Sequence, residues 1–304
     1  MIQDEKWENY SSWHCEKLEC SHENYTEYVY REGAEEEKSG IHTEDEVTEE
    51  EEVLSGQRTG RREKGFLRCI GEKMIDLVYP PATYCIMCDS VIDGTRKYNM
   101  CDECIGKFLW AGEETCHICG KVLTEEGVYI CDECAQRDRA FDRGFTCTAY
   151  GLYERKLISD FKQNRKVYLA RIIGRILYDR IVIEDLKIDG IIPIPIHNEK
   201  MKIRGFNQTE LMGRYLSERS GWKLLKNIVV RSKETASMKK LDRWERASNM
   251  EGAFSLKNPE KIRGKNILVI DDISTTYATL EECSRVLKQG GAQKVYILTF
   301  ASGR

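Results

Sequence analysis

Two adjacent acids, Asp271 and Asp272, follow the apolar run Ile267–Ile270. They precede a stretch of small or hydroxylated residues, Ser274, Thr275, Thr276, Ala278 and Thr279, interrupted by Tyr277. Carboxylates at the C-terminal end of a strand suit ribose hydroxyls or a divalent metal. Hydroxyls and free backbone N–H groups at a helix N-terminus suit a phosphate. The apolar run is short enough for a buried strand. Thr279 stands where a helix N-cap would, ahead of the helical pattern Leu280, Cys283, Val286 and Leu287. Strand, acids, hydroxyl loop and helix together fit a phosphorylated sugar.

A second constellation is made of cysteines. Eight of the 13 fall in four Cys-x-x-Cys pairs: Cys85/Cys88, Cys101/Cys104, Cys116/Cys119 and Cys131/Cys134. Two residues between thiolates let both sulfurs of a knuckle reach one zinc at about 2.3 Å. Four pairs make two four-cysteine sites. Sequential pairing gives a double zinc ribbon and interleaved pairing a cross-brace, and the spacing leaves both open. Zinc held by four thiolates has no open position, so the expected role is structural. A module this small needs the metal for folding energy. His117 lies between two ligands as a bystander. Cys69, Cys147 and Cys283 have no partner in the pattern and read as small buried apolar residues.

Around these sites the chain alternates strands and helices. Phe145–Tyr150 reads as a strand, Leu152–Lys162 and Val167–Ile183 as helices, and Asp189–Ile196 as a strand entering a Pro-rich loop. Asn207–Ser220 reads as a helix with Gly221 as its C-cap. Leu224–Arg231 is a short strand or extended segment, Ala253–Leu256 an edge strand, and Lys294–Ala301 a last strand. This alternation argues for a parallel α/β sheet.

Composition sets the remaining bounds. Residues 1–65 carry 8 Lys+Arg against 19 Asp+Glu, whereas the rest carries 39 against 32. The acidic front is poor in aliphatic residues and reads as a disordered tail over 1–65. A short amphipathic helix follows over 66–81, built on Phe66, Leu67, Ile70, Met74, Leu77 and Val78 and stopped by Pro80-Pro81. The cysteine-rich module spans 82–140 and the α/β domain 141–304. The mildly basic body fits an anionic ligand, either a phosphorylated small molecule or nucleic acid. The N-terminus is charged and no apolar run approaches the roughly 20 residues that span a bilayer. A cytoplasmic location is expected, with the cysteines on metal.

The stretch Asp271–Thr279 resembles the phosphoribosyl-pyrophosphate motif of type I phosphoribosyltransferases, in which a glycine stands where this chain has Tyr277. The order of zinc knuckles, Pro193–His197, Arg204-Gly-Phe-Asn-Gln208, Leu241…Arg246…Asn249…Ala253-Phe254 and the acid pair is similar to the ComF family over about residues 66–302. That resemblance implies a type I phosphoribosyltransferase-like parallel sheet flanked by helices, behind a small double zinc ribbon. It implies two structural zinc ions, and magnesium with phosphoribosyl pyrophosphate. Asp271 and Asp272 would hold the ribose side, and Ser274, Thr275, Thr276, Tyr277, Ala278 and Thr279 the 5-phosphate. The Pro195–His197 loop would face pyrophosphate, with His197 serving there or as a helix cap. Arg204 and Gln208 carry donors for phosphate or base, and Asn207 a helix cap or a donor. Lys162 falls at a further basic position. Residues 233–250, with Lys239, Lys240, Arg243 and Arg246, resemble a lid that closes over substrate, in which Met238 replaces the family's usual glutamine.

The implied chemistry is displacement at the anomeric carbon of phosphoribosyl pyrophosphate, achieved by positioning and charge stabilisation. The resemblance also carries a link to DNA uptake in natural competence. The competing expectation on the same fold is a non-catalytic factor that binds single-stranded DNA and competence proteins. Its weakness is the lack of interleaved exposed aromatics, for which only Trp222 and Trp244 are candidates. Tyr277 has three expected placements: outward, into the phosphate pocket, or donating its hydroxyl to the phosphate.

Overall fold

The computed structural model describes residues 83–125, 127–231, 250 and 252–303. The acidic tail over 1–65, the helix expected over 66–81 and most of the expected lid, including Met238, Trp244 and Arg246, lie outside the described residues.

Five parallel strands form the central sheet: β1 (Arg143–Ala149), β2 (Gly190–Pro193), β3 (Lys223–Leu224), β6 (Asn266–Ser274) and β7 (Lys294–Ser302). Their order is β1-β7-β6-β2-β3. The segment expected as one extended piece over 224–231 divides: β3 joins the sheet, while β4 (Val229–Arg231) pairs antiparallel with β5 (Phe254–Leu256) in a separate ribbon.

Along β6 the apolar residues alternate between two cores. Leu268 and Ile270 face one, Ile267 and Val269 the other, which is the period of a pleated strand. Burial on both faces explains why the run reads as continuously apolar. Helices α3 (Leu152–Lys162), α4 (Leu169–Ile181) and α6 (Gln208–Ser220) supply Leu157, Ile173 and Leu216 to the first core. Helix α7 (Ala278–Gln289) supplies Leu280, Val286 and Leu287 to the second. Trp222 is half-buried and packs against the first core, so it offers no free stacking platform.

The strand order places a topological switch between β2 and β6. From β2 the chain runs on through α6 to β3; from β6 it turns the opposite way through α7 to β7. The loops leaving these adjacent strands therefore diverge to opposite faces. The strands' C-terminal ends at such a switch point are the position where sheets of this kind bind ligands.

The cysteine-rich segment does not stand apart from this sheet. It carries two short helices, α1 (Asp102–Ile105) and α2 (Asp132–Gln136), each following a cysteine. Cys85 and Cys104 belong to the first core, and Cys116, Cys119, Cys131 and Cys134 to the second. The segment thus straddles β1, which would otherwise be an open sheet edge. Backbone bonds close that edge: Ala111 N–H donates to Cys147 O at 2.8 Å, Ala149 N–H to Leu109 O at 2.7 Å, and Gly144 N–H to Ile118 O at 2.7 Å. Unpaired edges template aggregation, and here the cysteine-rich segment removes this one. The fully buried Glu154 fixes the seam, accepting from Leu109 N–H at 2.7 Å with one oxygen and from Gly151 N–H at 3.0 Å with the other. Tyr98 adds a tether from the first knuckle pair, donating to Asp179 at 2.9 Å.

Candidate functional site

The acid pair lies within β6, not after it. The strand runs on through Asp271 and Asp272 to Ser274 because its pairing with β7 continues to Ser274↔Ser302. Asp272 is buried, with one carboxylate oxygen 2.7 Å from Lys162 Nζ at the end of α3. Asp271 accepts a hydrogen bond from Asp272 N–H at 2.8 Å. Burial, and then the neighbouring charge of Asp272, pushes the Asp271 carboxyl up to about 7. The pair is thus poised to lose a proton when a cation arrives.

After Ser274 the chain turns through Thr275 and Thr276 into α7. The N-cap is Tyr277 and not Thr279, which stands inside the first turn. Tyr277 has φ +58°, the left-handed region where glycine is at ease. Of the three expected placements, the ring neither fills the phosphate pocket nor offers its hydroxyl there. It leaves the amides clear, as the outward placement would, by turning into a core and not to solvent. It is 2% exposed and turned into the second core, 6.3 Å from the Phe141 ring. The backbone at 275–279 therefore keeps the glycine-like course without a ring on the ligand side. The first amides of α7 have no helical acceptors and are available to an anion. Thr275 is exposed, Thr276 and Thr279 half-buried, and Ser274 and Ala278 buried.

Across the switch point, the loop after β2 leads into a helix absent from the sequence expectation, α5 (Asn198–Arg204). Its signals were present: His197 is the N-cap, accepting from Glu199 N–H at 3.3 Å, and Gly205 closes the end in the left-handed region. Asn207 likewise caps α6, accepting from Thr209 N–H at 3.2 Å. Asn207 Nδ2 and Thr209 Oγ1 both donate to Ile194 O, at 3.1 and 2.7 Å, fixing the Pro-rich loop. His197 and Asn207 thus have structural duties that account for their residue types. Gln208 is 3% exposed, and its Nε2 finds no acceptor.

Several cations converge here that spacing alone did not bring together. Lys162, Arg165, Lys200 and Arg204 line a cleft of about 350 Å³ with Gln163 and Ile203. Arg165 donates to Ile203 O at 2.8 Å, joining the α3–α4 turn to α5. Burial, then Arg204, Arg231 and Lys162, lower the Lys200 ammonium below its usual range, while Asp272 opposes them. Burial lowers Arg231 as well, against the pull of Asp271. Two acids set among five cations suit a polyanion that arrives with a divalent cation. The donor set fits: hard carboxylate oxygens for magnesium, and an unspent buried donor on Gln208. Lys200 and Arg231 were missed because a basic residue in a charged stretch reads as a solvated face until the fold supplies its neighbours.

The cysteines pair sequentially. The sulfurs of Cys85, Cys88, Cys101 and Cys104 lie within 4.8 Å of one another, as do those of Cys116, Cys119, Cys131 and Cys134. Cys88–Cys101 and Cys119–Cys131 are each 3.7 Å apart. A tetrahedron with bonds near 2.3 Å has sulfur–sulfur edges of about 3.8 Å, so both sets fit zinc. The cross-brace is excluded. Cys147 and Cys283 are fully buried and their thiols are pushed up by burial, as inert core residues.

Residues 74–152 match the double zinc ribbon domain. The chain is 28% identical over 222 residues to competence protein F of Haemophilus influenzae, covering 70% of this chain and 94% of that protein. It is 27% identical over 187 residues to the DNA utilization protein YhgH of Escherichia coli K12, covering 60% of this chain and 81% of that one. Competence protein ComFC of Streptococcus pneumoniae is 28% identical over 196 residues, or 64% and 84%. Among solved structures, an allosteric regulatory enzyme of purine biosynthesis aligns with 43% of this chain and 25% of its own, at 14% identity and a TM-score of 0.29. Leishmania donovani UMP synthase aligns with 48% and 24%, at 17% and 0.28. The fold rests on the strand order and its switch point. Among the described residues no helix is long and apolar enough to cross a membrane. The chain is thus similar to competence protein F, ComFC and YhgH, and it closes a double zinc ribbon onto a five-stranded parallel α/β sheet.

Proposed function

We propose that the switch point between β2 and β6 binds phosphoribosyl pyrophosphate with magnesium, and that the protein transfers or recognises the phosphoribosyl group. The observation that carries this reading is the position of the acid pair. It sits at the switch point, one turn ahead of a helix N-terminus, with Lys162 on Asp272 at 2.7 Å. Asp271 and Asp272 would hold the ribose hydroxyls and the metal. The backbone and hydroxyls of Thr275–Thr279 would hold the 5-phosphate. The cations at Lys162, Lys200 and Arg204 would face the diphosphate, with Gln208 as a further donor and Arg246 supplied from the expected lid. Magnesium would supply charge neutralisation of the departing diphosphate. The residues of this chain orient the ligand and replace its water with fixed dipoles.

A calorimetric titration with phosphoribosyl pyrophosphate, with and without magnesium, tests the reading. Micromolar binding that needs magnesium is expected, and its absence would overturn the proposal. The same titration should depend on pH. Asp271 holds its proton below about 7. Binding to the ionised pair must expel that proton, so affinity should drop about tenfold from pH 8 to pH 6. This loss comes on top of the one that the ligand's own phosphate shows in a protein-free magnesium titration.

The names of the relatives, competence and DNA utilization, favour a role connected with DNA. A second reading makes the same fold a non-catalytic single-stranded-DNA or protein-binding factor. The basic cleft of Lys162, Arg165, Lys200 and Arg204 favours it. It requires DNA binding whose strength falls steeply with salt.

A further inference from the structure

Tyr277 is a costly choice where a loop wants glycine. A bulky residue in the left-handed region is strained, so something must offset it. The offset lies on the far side of the loop, in the second cysteine cluster. The Arg139 guanidinium stands 5.6 Å from the Tyr277 ring centroid and its side chain is 1% exposed. Arg139 Nε donates to Cys134 Sγ at 3.3 Å, and Nη2 meets Glu133 at 3.1 Å. Nη1 lies 3.6 Å from Glu281, in the first turn of α7, and Glu281 also accepts from Ala140 N–H at 2.7 Å. The Tyr277 hydroxyl lies toward Cys119 and Ser302 without meeting hydrogen-bond geometry with either. Four thiolates around one divalent ion leave net negative charge, which a buried guanidinium balances.

We propose that Tyr277 and Arg139 are positioning residues that moor the phosphate loop to the second zinc ribbon. The ribbon presents the ring pocket and the guanidinium. The ring fixes the left-handed turn, and Glu281 fixes the first turn of the helix behind it. A loop that glycine leaves pliant is here held from beneath by a metal-organised core. The ligand half of this proposal rests on reading the loop as a phosphate site; the tether itself does not.

The test uses the full chain as wild type, Tyr277→Gly, Arg139→Lys and Tyr98→Phe. The last cuts only a tether of the first ribbon. Three quantities are read: zinc released to a chromophoric chelator, hydrogen exchange of the 274–281 amides, and magnesium-dependent binding of phosphoribosyl pyrophosphate. Tyr277→Gly should keep both zinc ions, speed exchange of those amides at least about tenfold, and weaken binding about tenfold. Arg139→Lys keeps the charge but loses the fork, and should shift exchange in the same direction by less. Tyr98→Phe should leave the loop's exchange unchanged. Wild-type exchange in both loop variants overturns the tether. So does tighter binding by Tyr277→Gly, which would mean that the loop is better served by glycine. If wild type binds no phosphoribosyl pyrophosphate, the functional reading fails, and the exchange data still decide the tether.

Discussion

Gly144→Ala is expected to destabilise the protein by about 3 kcal/mol and to lower its melting temperature by roughly 10 °C. A Cβ at Gly144 would sit 2.4 Å from Cys119 O, 2.7 Å from its carbonyl carbon and 2.9 Å from its Cα. These are backbone atoms of a zinc ligand and cannot swing aside. The approach is mutual, since a Cβ at Gly120 would lie 2.5 Å from Gly144 O, and Gly120 also has φ +75°. The second knuckle would have to lift from β1, breaking the bond from Gly144 N–H to Ile118 O and loosening Phe141. A thermal melt with a zinc-release assay checks this, with Gly112→Ala as the comparison. A Cβ at Gly112 meets nothing within 4 Å, so that variant should change stability by under about 0.5 kcal/mol. A Gly144→Ala melt within about 2 °C of wild type would show that the ribbon is not seated on the strand as described.

Asp271→Asn/Asp272→Asn is expected to weaken magnesium-dependent binding of phosphoribosyl pyrophosphate more than about 100-fold, since it removes both charges a metal would use. The single change Asp271→Asn adds a signature in stability. The folded protein holds the Asp271 carboxyl up at about 7, because burial and Asp272 disfavour its charge. Folding therefore pays a penalty that is absent below the unfolded value near 4, grows as pH rises to 7 and is complete above it. Asparagine carries no such penalty, so the variant should melt at or above wild type at pH 8 and show no advantage at pH 4. Binding lost with stability kept marks a functional group, whereas binding and stability lost together would make the acid pair structural.

Much of this was legible in the sequence, for reasons of scale. The four cysteine pairs, the apolar run of β6 and the acids beyond it are local patterns, and local patterns survive the absence of a fold. The alternation of strands and helices came through because each element is several residues long. Long-range consequences did not come through. Spacing could not choose sequential over interleaved cysteine pairing, which depends on how the knuckles meet. Lys200 and Arg231 gained meaning only beside the acids. Helix α5 was hidden behind a Pro-rich run that reads as loop, although His197 and Gly205 marked its ends. Tyr277 looked like a departure from a phosphate loop because the ring's destination, 136 or more residues upstream at Phe141 and Arg139, is invisible in a local reading.

The seating of β1 has a consequence for how the chain is made. Among the described residues its one neighbour in the sheet is β7, and Asp142 and Val295, which bond at the start of that ladder, are 153 residues apart. A ribosome emits β1 long before that partner exists. The knuckles, by contrast, run from Cys85 to Cys134 and are all made before β1 begins at Arg143, and bound metal supplies them with folding energy. During synthesis a metal-loaded ribbon can shelter one side of the nascent strand while the other side waits. Starvation for zinc would then show itself first as aggregation of newly made chains, with the mature pool spared.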